Sequence, residues 1–388
     1  MPSVLIAHPG ADLYGSDRVM LETVTALTDR QWRVVVTVPA PGPLVSEIEA
    51  RGAEVRICPS PVLRKSALKP LGMLRLTWDI LRSVPAGIGL LRSVRADLVY
   101  VSTITVPLWF ALGRLLRKPV VGHVHEAERA APSVVRKALT APLLLADRLL
   151  VNSRFSLGVL TESFPSLGAK AVVLYNGVPG PVHITPAREE LDGPMRLLYV
   201  GRLSPRKGPQ VAIDAVQDLR TRDVEVTLDL IGAVFPGYEW FATQLTDQVA
   251  AAGLTDRVFF RGFQPDIWQA VSAADLVLIP SQADEPFGNS AVEAVLAARP
   301  VIASASSGLL EAVDGYTSAQ TVAPTDRAGW SDAILRVRQR WTEYRENAAS
   351  DAQRAHDRHA PDRYRAAVAE ELAALTNRTD RPQALAHG

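Results

Sequence analysis

A single cysteine, Cys58, stands among 388 residues, which excludes a disulfide framework or a cysteine-rich zinc site within one chain. Cys58 closes the strand-like run "AEVRIC" and is expected to be a buried, inert thiol. No apolar run approaches the roughly 18 residues that span a bilayer. The opening "MPSVLIAHPGA" has neither a basic region nor a long apolar stretch, so it reads as a first strand rather than a signal peptide. A cytoplasmic location is expected, with association at a membrane surface left open. The net charge is only +1, so there is no bulk attraction to nucleic acid, which is not expected as a partner. Short repeats and low-complexity blocks are absent as well.

What is present is an ordinary soluble composition, 47% hydrophobic and 21% charged, at a length that suits two domains. The first half carries strand-like runs at 3–8, 32–39, 54–58, 97–102, 119–125 and 148–153. Their apolar, β-branched residues fall on consecutive positions, as in strands buried on both faces of a parallel sheet. Helical patterns such as "SDRVMLETVTALTDR" lie between them. The second half repeats the alternation, with strands at 195–201, 226–232, 257–262, 275–281 and 299–304. A proline- and glycine-rich stretch, 175–194, reads as a linker, and 362–378 reads as a last helix. The expected fold class is α/β, with two Rossmann-like, doubly wound parallel-sheet domains facing a cleft. Open parallel sheets bind ligands beyond the carboxyl ends of their strands, so the residues after strands carry the functional question.

Four such places stand out. "HPGADLYGSDRV" joins the first strand to the first helix, where Gly10 and Gly15 allow close backbone approach to an anion. The same residues also make a plain strand-to-helix turn. "GHVHE" places His123 and His125 on one face of a strand end. Zinc would need a third ligand that the pattern does not supply, so the readings are a sugar or phosphate contact and a structural histidine. "YVGRLSPRKGPQ" sets Arg202 and Lys207 beside a helix that starts near Pro209, which suits a diphosphate as well as a solvated basic turn.

The fourth place is "SQADEPFGNSAVEAV", residues 281–295. Ser290 and Glu293 have capping-box spacing, so Glu293 has an explanation as a helix-start residue. Glu285 has none, since it precedes the helix, and a ligand is what explains it. The amides of Asn289 and Ser290 at the helix start are placed to meet phosphate oxygen. Two cations, one helix end and two acids together form the chemistry of a nucleotide-sugar donor.

With these residues in view, the chain resembles the retaining glycosyltransferases of family 4, which have the GT-B fold. The resemblance rests on "DLYGSDRVMLE", "HVHE", "VNSRFS", "YNGVP", "GRLSPRKG" and "PSQADEPFGNSAVEAVLAARPVIAS", and it covers nearly the whole chain. It implies an acceptor-side domain over 1–180 with 350–378 packing back on it, a linker over 181–194, a donor domain over 195–349 and a disordered tail over 379–388. It also implies that Arg202 and Lys207 neutralise the diphosphate, Glu285 faces sugar hydroxyls and Glu293 binds the ribose. Phe287, Gly288 and Asn289 would present amides, Ser290 would lie at the same helix start, and Gly15 would approach the phosphate from the other domain. Gly262 and Phe263 would lie against the base, and His125 would be the active-site histidine. No cofactor and no metal are expected, and the sequence has no Asp-x-Asp motif. Arg299, where the family commonly has glycine, is expected on the far side of the donor pocket.

The implied reaction is transfer of a sugar from a nucleotide-diphosphate donor to a glycan, glycolipid or lipid-linked acceptor, with retention, in cell-surface polysaccharide synthesis. A nucleotide-sugar epimerase or hydrolase on the same fold, or a non-catalytic binder of nucleotide sugars, are the other readings. Residues 64–95 carry Arg64, Lys65, Lys69, Arg75, Arg82, Arg92 and Arg95 against one acid, Asp79, with apolar residues interleaved. That pattern suits an anionic membrane surface, and equally a pair of surface helices with basic outer faces.

Overall fold

The computed structural model describes residues 1–13, 15–63, 70–234 and 237–379. They form two compact units, residues 1–177 with 361 onward, and residues 178–360.

The first unit holds a parallel sheet of seven strands: β1 (Ser3–Ala7), β2 (Arg33–Val38), β3 (Glu54–Ile57), β4 (Leu98–Val101), β5 (Val120–Val124), β6 (Arg148–Val151) and β7 (Ala171–Val173). Their order is β3-β2-β1-β4-β5-β6-β7, so the chain reverses direction across the sheet between β1 and β4. The helices are α1 (Gly15–Thr28), α2 (Leu44–Ala50), α3 (Pro70–Val94), α4 (Leu108–Leu115), α5 (Ser133–Thr140) and α6 (Arg154–Ser163). All five residues of β1 are buried, and they alternate between two cores. Val4 and Ile6 join the α1 side, while Leu5 and Ala7 join the side of α3 and α4. This two-sided burial explains why the strands read as unbroken apolar runs. Cys58 lies buried in the second of these cores, and burial pushes its thiol pKa up.

The second unit repeats the plan with β8 (Met195–Val200), β9 (Val226–Ile231), β10 (Val258–Gly262), β11 (Leu276–Ile279), β12 (Val301–Ser304) and β13 (Ala319–Val322). Their order is β10-β9-β8-β11-β12-β13, with the reversal between β8 and β11. The helices are α7 (Pro209–Thr221), α8 (Glu239–Ala251), α9 (Trp268–Ala273), α10 (Asn289–Leu296), α11 (Ser307–Val313), α12 (Arg327–Gln339) and α13 (Trp341–His359). The last helix, α14 (Pro361–Thr379), belongs to the first unit. It packs Tyr364, Val368, Ala369 and Leu372 into the α1-side core. Two ion pairs flank this packing, Arg365–Glu22 at 2.6 Å and Arg148–Glu371 at 2.7 Å.

The crossing back therefore falls at Ala360–Pro361 rather than at 350, and α13 stays with the second unit. Asp351 on α13, fully buried, accepts from the amide and the hydroxyl of Ser318 at 2.8 and 2.7 Å, which ties that helix to the start of β13. Residues 178–194 also count with the second unit rather than standing as a separate linker. Arg188 grips the buried carboxylate of Asp275 with two nitrogens, at 2.9 and 2.7 Å, and its carbonyl accepts from Trp341 Nε1 at 3.1 Å. A proline-rich composition signalled a connection, but these bonds hold it on one side.

β7 and β13 are not among the strands read from the sequence. Both are short edge strands, and three or four half-buried residues carry too little apolar signal. Segment 70–94 is one helix of 25 residues with Pro85 inside it, not a pair. Among the described residues no helix is long and apolar enough to cross a membrane. Arg64, Lys65, Lys69 and residues 380–388 lie outside the described residues.

Candidate functional site

In the second unit, the loops after β8 and β11 meet at the point where the sheet reverses direction, where open α/β sheets accept ligands. Lys207 comes from the first loop and Glu285 from the second. Lys207 Nζ donates to a Glu285 oxygen at 2.7 Å, and Ser281 Oγ donates to the same oxygen at 3.2 Å. Glu285 is 8% exposed. Burial pushes its carboxyl pKa up, but Lys207, Arg206 and the two hydrogen bonds outweigh burial and hold it below the usual range. Glu285 therefore has a partner within the protein, and the expectation that only a ligand explains it is corrected.

The two loops are locked together by backbone. The Gln282 amide donates to the Arg206 carbonyl at 2.8 Å, and Arg206 also bonds the Asp284 carbonyl. Gly208 has φ +74°, and a Cβ there would stand 1.9 Å from the Pro280 carbonyl oxygen. Only glycine lets the loops close to this distance. On the other flank Ser307 Oγ accepts from the Glu285 amide at 2.7 Å, and the Gly308 amide donates to the Glu285 carbonyl at 2.9 Å. Arg202 is exposed on the same loop as Lys207, and Tyr199 donates to its carbonyl at 2.8 Å.

Helix α10 starts beside this pair, but not as the spacing suggests. Its N-cap is Gly288, at φ 115°, with no side-chain cap. Ser290 lies inside the helix, so the capping box with Glu293 does not form. The helix-start explanation of Glu293 is lost, and its side chain is half-buried within the first turns of α10. The amides of Asn289 and Ser290 lie in the first turn, where backbone donors lack helical partners and the dipole favours an anion. Phe287 is 2% exposed and packs edge-on against His359, with ring centres 5.6 Å apart, so it contributes backbone rather than a side chain.

Gly262, at φ +71°, ends β10, and Phe263 beyond it is 60% exposed. Gly232 ends the neighbouring β9, and its amide donates to the Gly262 carbonyl at 2.9 Å. These residues lie at the carboxyl edge of the same sheet as Lys207 and Glu285. Arg299 does not line the site: it is fully buried and donates to the carbonyls of Ala274, Thr185, Ala297, Ala298 and Ser272. Burial lowers its pKa to about 10. Its place in the sequence, where glycine is expected, misled because the side chain turns inward to collect carbonyls.

The first unit has polar residues of its own at the β1/β4 reversal. His8 follows β1 and bonds Ser102, after β4, at 2.5 Å and Asp17, on α1, at 2.8 Å. All three are buried. Gly15 is exposed at the start of α1. His123 is 1% exposed within β5, and half-buried His125 follows it with ring centres 3.9 Å apart. The Nε2 atoms of both rings are buried without a hydrogen-bond partner. Burial first, then the electrostatic influence of the neighbouring His8 ring, lowers the His125 pKa to about 3, so the His125 ring is neutral at ordinary pH. Glu126 accepts from the amides of His125 and Ile104 at 3.1 and 3.4 Å. Burial raises its pKa to about 7 against these bonds.

The residues expected from the sequence thus fall into two sets. Arg202, Lys207, Gly262, Phe263, Glu285, Phe287, Gly288, Asn289, Ser290 and Glu293 belong to the second unit, and Gly15 and His125 belong to the first. Sequence reasoning missed Ser281 and Arg206 around Glu285, and the set of His8, Asp17 and Ser102. Arg206 lies within "SPRKG", so its charge was visible, while the others have no signature apart from the fold.

Known proteins give the same division. Residues 14–179 match the model described as Glycosyltransferase Family 4, and residues 184–355 match Glycosyl transferases group 1. The 2-deoxystreptamine glucosyltransferase of Streptomyces kanamyceticus is 30% identical over 333 residues, which are 78% of this chain and 84% of that protein. The D-inositol 3-phosphate glycosyltransferase of Salinispora tropica is 34% identical over 212 residues, 50% of this chain. The match spans only 44% of that relative's length, and 47% for its Salinispora arenicola counterpart. Among solved structures, Anabaena Alr3699/HepE in complex with UDP-glucose aligns with a TM-score of 0.79 at 23% identity, over 96% of this chain and all of that one.

Proposed function

As this chain belongs to the glycosyltransferases, of family 4 in its first half and group 1 in its second, we propose that it moves a sugar from a nucleoside diphosphate to an acceptor hydroxyl with retention of anomeric configuration. The observation that carries this reading is the Lys207–Glu285 pair at the β8/β11 reversal, beside the start of α10. A cation there meets the diphosphate, and the acid beside it accepts from sugar hydroxyls. As the bond from the anomeric carbon to the β-phosphate oxygen breaks, negative charge grows on the leaving group. Arg202, Lys207 and the first amides of α10 stabilise that charge where it develops. The acceptor oxygen bonds the anomeric carbon from the same face, and its proton passes to the leaving phosphate. Glu293 holds the ribose, Gly262 and Phe263 flank the base, and the active-site histidine of the first unit is His125. The reaction needs no divalent metal, because fixed cations do the charge work.

The acceptor is a glycan, glycolipid or lipid-linked sugar used for cell-surface polysaccharide, and the protein works in the cytoplasm on the inner membrane face. An exposed stripe on α3 supports this: Leu74, Trp78 and Leu81 are 77%, 61% and 62% exposed, and Arg82, Arg92 and Arg95 are exposed along the same helix and its end.

Thermal shift against UDP-, GDP- and dTDP-sugars tests the donor, because a ligand that binds only the folded state raises the melting temperature. UDP-glucose is the first probe, since the Anabaena structure holds it. Mass spectrometry with and without an acceptor tests the reaction. A changed or cleaved sugar in the absence of acceptor would favour an epimerase or hydrolase, and binding without turnover would favour a non-catalytic binder.

A further inference from the structure

A buried chain of hydroxyls leads from the carboxyl-terminal helix to the histidine pair. Tyr364 on α14 is 2% exposed, and its hydroxyl lies 2.6 Å from Thr23 Oγ1 on α1. Thr23 Oγ1 directs its own proton at the Val19 carbonyl, 3.3 Å away. It therefore accepts from Tyr364. Tyr100, on β4, has its hydroxyl 2.5 Å from His123 Nδ1 and 3.5 Å from Thr23 Oγ1. With the Thr23 oxygen held by Tyr364 and the Tyr100 distance to it long, the Tyr100 proton points to His123 Nδ1. That leaves His123 with its proton on Nε2. The ring of Tyr364 also lies parallel to that of His123, with centres 6.2 Å apart and planes 19° apart.

His123 is the surface on which His125 rests. Their ring centres are 3.9 Å apart, and each has a buried Nε2 with no protein partner. Buried polar atoms are almost always bonded, and leaving one unbonded costs about 1–3 kcal/mol. We propose that Tyr364 is a positioning residue: through Thr23 and Tyr100 it fixes the tautomer and ring plane of His123, and so the orientation of His125. Helix α14 is then part of the machinery of the first unit rather than only a brace. Without the Tyr364 hydroxyl, Thr23 Oγ1 becomes open to Tyr100, the Tyr100 proton turns to it, and the His123 proton moves to Nδ1. The inference rests on the role given to His125 above.

The test is Tyr364→Phe, which keeps the ring packing and removes only the hydroxyl. With UDP-glucose as donor, kcat should fall about tenfold with KM for the donor within about twofold, since a small displacement of a reacting group costs that much. The ring nitrogen NMR shifts of His123 should move to those of the other tautomer, and those of His125 should move with them. Thr23→Val removes the oxygen that would take the Tyr100 proton, so in the Tyr364→Phe background it should return both the histidine shifts and kcat toward wild type, and failure to do so would overturn the route through Thr23. Unchanged histidine shifts in Tyr364→Phe would overturn the proposal, whether or not kcat changed. Should the wild-type protein transfer no sugar, the reading of function fails, and the histidine shifts still decide whether Tyr364 sets the pair.

Discussion

The ammonium of Lys207 rests 2.7 Å from the carboxylate of Glu285, which lies 78 residues further along the chain. On the proposed reading, the cation for a diphosphate and the acid for a sugar hydroxyl thus neutralise each other. The proposal then has a donor offer something to both: phosphate oxygen to Lys207 and a hydroxyl to Glu285. A buried carboxylate left without its cation is costly, so a nucleotide lacking the sugar satisfies the site less well.

Lys207→Ala is expected to weaken UDP binding about a hundredfold, the loss of a charged hydrogen-bond donor. It should also lower stability by about 2 kcal/mol, because Glu285 stays buried without its partner. Calorimetric titration and urea unfolding measure the two effects. Unchanged UDP affinity would count against the site. Glu285→Gln should keep UDP affinity and lose transfer.

Gly208→Ala tests the loop closure without touching a charge. The added methyl would meet the Pro280 carbonyl at 1.9 Å, in a backbone conformation that alanine disfavours. The loops after β8 and β11 must part, so donor affinity should fall about tenfold or more, with a loss of stability of 1 kcal/mol or more. Wild-type donor binding in this variant would show that the two loops need not meet.

Arg299→Met should leave donor affinity unchanged and destabilise the fold by about 3 kcal/mol or more, since five carbonyls lose a buried donor. Donor affinity that changed while stability held would place Arg299 at the pocket after all.

Acid sensitivity should divide between two neighbours. The folded-state pKa of His125 is about 3, below its ordinary 6.5, so its contribution is present above pH 6.5 and is lost as pH falls toward 3. Glu126 has the opposite sign: raised from 4.5 to about 7, its contribution is present below pH 4.5 and is lost as pH rises to about 7. Urea unfolding at pH 5 and pH 7 should show His125→Gln flattening the rise in stability between the two, and Glu126→Gln steepening it. Equal slopes in all three proteins would remove the buried, unshared character assigned to both groups.

The α3 stripe predicts sedimentation with vesicles rich in anionic lipid and not with neutral ones. Trp78→Glu should reduce the bound fraction without changing the melting temperature, because Trp78 is 61% exposed. Protein left wholly in solution with anionic vesicles would end the membrane proposal.

Much of this was legible before any coordinates. The inner strands β1, β2, β4 and β11 carry apolar residues on consecutive positions because both faces are covered. The edge strands β7 and β13 were not legible, since short half-covered strands carry no such run. The crossing at Ala360–Pro361 was hidden because periodicity marks a helix but does not say which core it covers.

The same limit runs through the site. Local pattern set the alternation of strand and helix, and with it the placing of Lys207, Glu285, Gly262 and His125 just after strands, because backbone periodicity is a property of neighbouring residues. Local pattern also suggested a cap at Ser290, which the chain does not use, since the N-cap falls two residues earlier, at Gly288. Partners were decided only by the tertiary fold. Lys207 meeting Glu285, His8 joining Asp17 to Ser102, Arg299 turning inward and Tyr364 reaching Thr23 all depend on strand order. Hydrogen bonds and ion pairs act over about 3 Å, and only the packed sheets bring residues so distant in the chain within that reach.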